Sequence, residues 1–179
     1  MNDFRNSRDS SDSRPRPAYR DRRSQPGRPR TAPKKNLFVN KSPEGSEQWL
    51  TPWVELKYFT YNPAVFPRML GSVSGEIAPG SLVHVYDKNG ELFGAGFWNE
   101  ASRTPLRVVY HGKDAFTERD LDAALERAVK LRREILCLDE TTNAYRVLHG
   151  DSDGLGGLVV DRYADVLSLE VSTLAVWQR

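Results

Sequence analysis

The sequence predicts a mainly β protein with α: a disordered basic tail, a small β-barrel, one helix, and the start of a second β-rich unit. Three observations carry this fold class. Short apolar runs bounded by Gly, Pro and Asn recur between Trp49 and Tyr110, the period becomes helical between Phe116 and Leu138, and strand-like runs return from Tyr145. The 179 residues, 39% hydrophobic and 28% charged, suit one ordinary domain or two small ones and leave no room here for a multidomain enzyme.

The tail comes first. Residues 1–35 hold eleven Lys and Arg against four Asp, net +7, whereas the remainder carries −5, so the basic character behind the overall +2 is concentrated at one end. Met1, Phe4, Ala18, Tyr19 and Ala32 are its only clearly apolar or aromatic residues, too few to offset the entropy of ordering it. The pieces Arg14-Pro15-Arg16, Arg20-Asp21-Arg22-Arg23 and Arg28-Pro29-Arg30 resemble arms that bind phosphate backbones, and a solubilising tail is the alternative reading. Four Asp and several Pro argue against an amphipathic targeting helix.

Val54-Glu55-Leu56-Lys57-Tyr58 alternates with period two and predicts a half-buried strand. Leu82–Tyr86 is a second strand. It leads through Asp87-Lys88-Asn89-Gly90 into Glu91–Phe97, and Asn-Gly between apolar runs is the strongest short hairpin signal because both residues tolerate positive φ. Gly94 and Gly96 leave one face of that strand bare, so it bends there or admits another backbone closely. Leu106–Tyr110 adds a strand, and turn signals every ~10 residues favour a small barrel over an open sheet.

The helix that follows has Thr117 as its cap with Asp120 three residues on, and a face of Leu121, Leu125, Ala128, Arg132 and Ile135 flanked by Leu131 and Leu138. Its basic residues lie mostly on the outer, C-terminal part, where the helix dipole favours them; they suit RNA contact or simple solvation. Cys137 near the helix end reads as a small buried hydrophobe. Tyr145–His149, Leu158–Asp161 and Val166–Val171 form a meander, the last two joined through Arg162–Asp165, and nothing after Val171 closes the sheet. The predicted boundaries are a tail at 1–48, a barrel at 49–112, a connecting helix at 113–140 and an incomplete β-unit at 141–179.

No run reaches the ~18 to 20 apolar residues of a membrane span, and the first thirty residues lack a secretory apolar stretch, which predicts a soluble, cytoplasmic protein with no membrane partner. A single cysteine excludes an intrachain disulfide framework and a zinc site built on several thiolates. His84, His111 and His149 are scattered without metal-ligand spacing. Gly150-Asp151-Ser152-Asp153-Gly154 matches the G-x-S-x-G of hydrolases, but Leu155–Val160 reads as loop and strand where a helix is needed, so an Asp/Gly turn is the better reading. A calcium loop fails for want of its third acidic position and closing Glu, and Gly154-Leu155-Gly156-Gly157 lacks the spacing of a nucleotide loop.

Three stretches carry a family resemblance: Asn62–Phe66 with Pro79–Val85 and Gly90–Gly96; Asn99-Glu100-Ala101-Ser102 leading into Arg107–Val109; and, most specific, His149–Tyr163. They resemble the N-terminal portion of the PUA-domain-containing class I S-adenosylmethionine-dependent rRNA methyltransferases of the large-subunit 5-methylcytosine type. The last stretch is similar to that family's G-E-S-D-G-L-P-G-L-x-x-D-R-[FY] signature, with Asp151 for Glu and Gly156 for Pro, and Ala64 stands where Trp is usual. The resemblance implies a PUA-like barrel that holds RNA, followed in the family by a Rossmann-like domain bearing the cofactor glycines and catalytic cysteine, which this stretch does not contain. No catalytic, cofactor-binding or metal residue therefore transfers to it. S-adenosylmethionine is implied only for the complete family member.

The expectation is an RNA-binding part, truncated or split from its catalytic centre; the rivals are a self-standing PUA-type adaptor and a hydrolase built on Ser152. The partner is RNA, rRNA by the resemblance, with a separate methyltransferase domain or self-association through the open C-terminal edge alongside. Candidate contacts are Arg68, Arg103, Arg107 and Arg146 on phosphates, with Trp98 as a stacking surface, although each Arg suits a solvated face and Trp98 suits a core. Asp151, Ser152, Asp153 and Gly154 position substrate or hydrogen-bond their own turn.

Overall fold

The first sheet has six strands: β1 (Trp53–Leu56), β2 (Ala64–Val65), β3 (Leu70–Val73), β4 (Leu82–Tyr86), β5 (Leu92–Trp98) and β6 (Leu106–His111). This is a computed structural model, and it describes residues 42–179; the first 41 residues of the predicted tail lie outside it. Residues 46–48, assigned to the tail from sequence, form a short 3-10 turn with Ser46 buried.

The strand order is β2-β6-β5-β4-β1-β3, antiparallel throughout except for the parallel pair β1 and β4. In a flat sheet β2 and β3 would stand five strand spacings apart, about 24 Å. Yet Val65 of β2 and Leu70 and Val73 of β3 share one core cluster with Val54, Leu56, Val83, Val85, Trp98, Leu106 and Val108, so the sheet is curled around that cluster. It is a half-barrel. The expected small PUA-like barrel is thus found as a curled sheet, in which β2 and β3 end the strand order without pairing. Pro67, which has no N–H to donate, and the 3-10 turn Pro67–Met69 interrupt the ladder between them.

The first strand starts one residue earlier than predicted and is not half-exposed. Val54 and Leu56 face the core, while Trp53 on the other face is covered edge-on by Trp49 (ring centroids 4.8 Å), which itself stacks on Tyr86. The Asn89-Gly90 hairpin forms as predicted. Gly90 has φ +80°, and the Asp87 side chain accepts the N–H groups of Asn89 and Glu91 at 2.9 Å each. At Gly94 and Gly96 the close approach is the observed outcome: an added Cβ would meet the carbonyl oxygens of Tyr110 and Arg107 on β6.

Helix α1 (Glu118–Lys130) begins where Thr117 donates its N–H (2.7 Å) and hydroxyl (2.8 Å) to the Asp120 carboxylate. Its buried face is Leu121, Ala124 and Ala128, packed with Ala95, Phe97, Leu148, Leu155 and Val160 in a second core cluster. Two alanines let the helix lie close to the strand Ala144–His149 and the 150–153 turn, and the predicted face is thereby rotated: Leu125, Leu131 and Ile135 are exposed. The helix passes into a π-helical turn, Leu131–Ile135, and ends at Cys137, which has φ +48° and is only half-buried, not the buried hydrophobe expected. A short α2 (Leu138–Thr141) follows.

The second sheet, β7 (Ala144–His149), β8 (Leu158–Tyr163) and β9 (Val166–Val171), is the predicted meander, with Ala164 at φ +55° in the two-residue loop. Beyond it the chain does not simply stop. A four-residue α3 (Leu174–Trp177) buries Ala175; Gln178 donates to the Pro79 carbonyl at 3.3 Å, and Arg179 donates to the Gly80 carbonyl and pairs with Glu118. No helix among the described residues is long and apolar enough to cross a membrane.

Candidate functional site

The residues of the 149–163 stretch are brought together with several of the predicted arginines, and their geometry defines what each can do. Gly150–Asp153 form a 3-10 turn closed by Gly154 at φ +75°, with Leu155 N–H bonded to the Gly150 carbonyl at 3.0 Å. Two bidentate ion pairs pin this turn. Arg107 of β6 holds Asp151 (Nε to Oδ1 2.8 Å), and Arg132 beyond α1 holds Asp153 (2.7 and 2.9 Å). Asp153 also accepts the His149 N–H at 2.6 Å. Burial raises the Asp153 carboxyl, but the hydrogen bonds from Arg132 and His149 and the Arg132 charge outweigh it and hold the group below the usual carboxylate value.

Arg146 is likewise engaged. It grips Asp161 across β7 and β8 at 2.8 and 3.0 Å and lies 3.0 Å from His149 Nδ1. Those hydrogen bonds, more than the charge, hold Asp161 low. Beside it, Asp139 of α2 accepts from Tyr145 Oη (2.7 Å), Arg133 (2.8 Å) and Arg162, which ties α2 to the second sheet. Arg107 and Arg132 thus spend their forks on carboxylates that fasten the turn to the half-barrel and to the end of the helix, and Arg146 spends its own on tying β7 to β8.

Trp98, proposed as a stacking surface, is a correction: it is 2% exposed and belongs to the half-barrel core, because its strand β5 is central and covered on both faces. Arg68 and Arg103 are exposed and carry no ion pair among the described residues. Ser152 is exposed at the turn, with no oxyanion helix behind it, since β8 follows. Among the described residues there is no grouping of His, Cys, Asp or Glu able to hold a metal.

S-adenosylmethionine does not fit the glycine stretch. A Cβ on Gly156 would meet the Arg107–Asp151 pair, and one on Gly157 would meet the Thr173 side chain, so the space a cofactor needs is filled by this chain's own atoms. The pocket beside it, lined by Phe97, Trp98, Thr104, Arg107, Thr173 and Ala175 among others, holds about 90 Å³. A ligand of that size class needs roughly 300 Å³ or more.

One exposed group of residues escaped the sequence reading. Phe59 and Tyr61, in the loop after β1, are 65% and 69% exposed and lie against Phe93 of β5 and His111 of β6. The four rings meet mostly edge to face, with centroids 4.7 to 6.1 Å apart. The signal was the run Tyr58-Phe59-Thr60-Tyr61, aromatic residues where a polar turn is expected.

Comparison with known proteins adds the following. Residues 50–110 match a PUA-like domain. The chain is 36% identical over 150 residues to a ribosomal RNA large subunit methyltransferase of Deinococcus radiodurans, covering 81% of this chain and 34% of that protein. It is 32% identical over 118 residues to ribosomal RNA large subunit methyltransferase I of Shewanella amazonensis, covering 66% and 30%. Among solved structures, one described as a SAM-dependent methyltransferase from Streptococcus mutans superposes with a TM-score of 0.51 at 16% identity over 70% of this chain and 34% of that one. The chain spans about a third of the length of the curated relatives it matches.

Proposed function

The chain carries a PUA-like domain and is a relative of the large-subunit ribosomal RNA methyltransferases, and from that premise we propose that it is the RNA-holding part of a SAM-dependent rRNA (cytosine-5) methyltransferase acting in the cytoplasm. The observation that carries this reading is the match of residues 50–110 to a PUA-like domain within a chain whose relatives modify rRNA by name. The half-barrel and the pinned 150–154 turn hold RNA and set its approach. Methyl transfer and S-adenosylmethionine belong to residues outside these 179, supplied in the same protein or by a separate chain.

The paired state of Arg107, Arg132 and Arg146 supports a division of labour: the first two fix the turn, Arg146 ties β7 to β8, and phosphates are left to Arg68, Arg103 and the basic tail. The test is fluorescence anisotropy of the full chain on large-subunit rRNA fragments over a salt series, beside calorimetry with S-adenosylmethionine. RNA binding that weakens steeply with salt, a shallower slope after deletion of residues 1–35, and no heat with S-adenosylmethionine are expected. Absence of RNA binding sinks the reading. An unchanged slope after the deletion removes the tail from it, and cofactor binding by this chain ends the assignment of methyl transfer to other residues.

A further inference from the structure

We propose that the ring cluster Phe59, Tyr61, Phe93 and His111 is a stacking platform for the unpaired bases of a single-stranded RNA segment. The inference rests on the RNA-holding reading above and assigns it a surface and a substrate form. Phe93 is packed against the half-barrel core and His111 stands next to it on β6, so the base of the platform is rigid. The loop that lays Phe59 and Tyr61 over them is ordered by its own side chains: Thr60 Oγ1 accepts the Asn62 N–H, and Asn62 Oδ1 accepts the Ala64 N–H, both at 2.9 Å.

Large aromatic rings held rigid yet mostly in solvent are costly for a soluble protein and mark an interaction surface. Phe59 and Tyr61 keep 65% and 69% of their surface in solvent, and a base is the ligand with a π-face to stack on such rings. Burial lowers the His111 pKa, so its ring is neutral and joins the apolar surface.

The rim supplies charge complementarity for a phosphate backbone. The Lys57 N–H bonds to the Met69 carbonyl at 2.8 Å, which places Lys57 and Arg68 on adjacent strands of chain at the root of the aromatic loop. Both are exposed, and neither has an ion-pair partner among the described residues. Glu91, next to Leu92 and Phe93 along the chain, pairs with Lys113 at 2.8 Å. An A-form duplex keeps its bases stacked on one another and presents no free face, so the platform selects single-stranded segments.

The experiment compares the full chain with Phe59→Ala/Tyr61→Ala, Phe59→Trp and Lys57→Gln/Arg68→Gln on a labelled single-stranded RNA of about ten nucleotides and on a duplex of the same length. Phe59 and Tyr61 are exposed, so the double alanine variant folds, which circular dichroism verifies. Its single-strand affinity is expected to fall about tenfold or more with an unchanged salt slope, its duplex binding to stay as it was, and Phe59→Trp to retain affinity. Lys57→Gln/Arg68→Gln is expected to reduce the slope by about 0.7 for each phosphate that is no longer neutralised. Unchanged single-strand affinity in a chain that binds RNA overturns the platform and leaves the RNA-holding reading intact. Loss of self-association with RNA affinity unaltered shows a protein interface instead; a wild-type chain that binds no RNA overturns both readings.

Discussion

Arg132 and Asp153 form the most enclosed ion pair described, with side chains 13% and 10% exposed. Removing one partner leaves a desolvated charge, so Arg132→Met or Asp153→Leu alone is expected to cost roughly 3 kcal/mol, and the double substitution to recover much of that, as read by denaturant unfolding. A double-variant loss equal to the sum of the two single losses would refute the coupling. Because the folded Asp153 carboxyl lies below its ordinary value, its contribution is present above that value and is lost as pH falls through the folded one. The wild-type advantage over Asp153→Asn should therefore shrink on acidification below about pH 4. The Asp151 and Asp153 positions were legible in the sequence as a turn, whereas their arginine partners, 44 and 21 residues away, were not. Charge in a sequence does not name its partner, and Arg107 and Arg146 accordingly looked like free phosphate ligands.

Among the elements, β5 does most to position the others, since it feeds Trp98 into the half-barrel core and Ala95 and Phe97 into the cluster beneath α1. Gly94 is the point where its backbone meets β6 too closely for a side chain. Gly94→Ala is expected to lose about 1–3 kcal/mol or more, because the obstructing atom is a backbone carbonyl that cannot rotate away. A substitution without effect on the unfolding midpoint would show that the strands separate there at little cost. The Gly-x-Gly spacing made this close approach readable in advance. The helix face was read less well, because Leu125 and Ile135 satisfy the same period as Leu121 and Ala128, and only the packing on β7 and the 150–153 turn selects the alanine side.

At the scale of the whole molecule, β9 is the outer strand of its sheet, and Leu167, Leu169 and Val171 along it are exposed, together with Trp177 just beyond. An apolar strand with an unpaired edge invites pairing with another chain. Leu167→Lys/Leu169→Lys is expected to lower self-association in sedimentation velocity without changing the unfolding midpoint, and equal self-association in both proteins would place the sticky surface elsewhere. Local order was largely determined by the sequence: β1, β4, β5 and β6 of the first sheet, the three strands of the second, the Asn-Gly hairpin, the Thr117 cap and the Asp/Gly turn follow from alternation, turn chemistry and capping, each acting within a few residues, whereas the short β2 and β3 carried no such signal. Only the tertiary structure decided how far the half-barrel closes, that Trp98 is core, which arginines are engaged, and that Phe59 and Tyr61 meet Phe93 and His111. Those outcomes depend on residues distant along the chain meeting one another, where burial and ion pairing are set by the curl of the sheet and not by neighbouring residues.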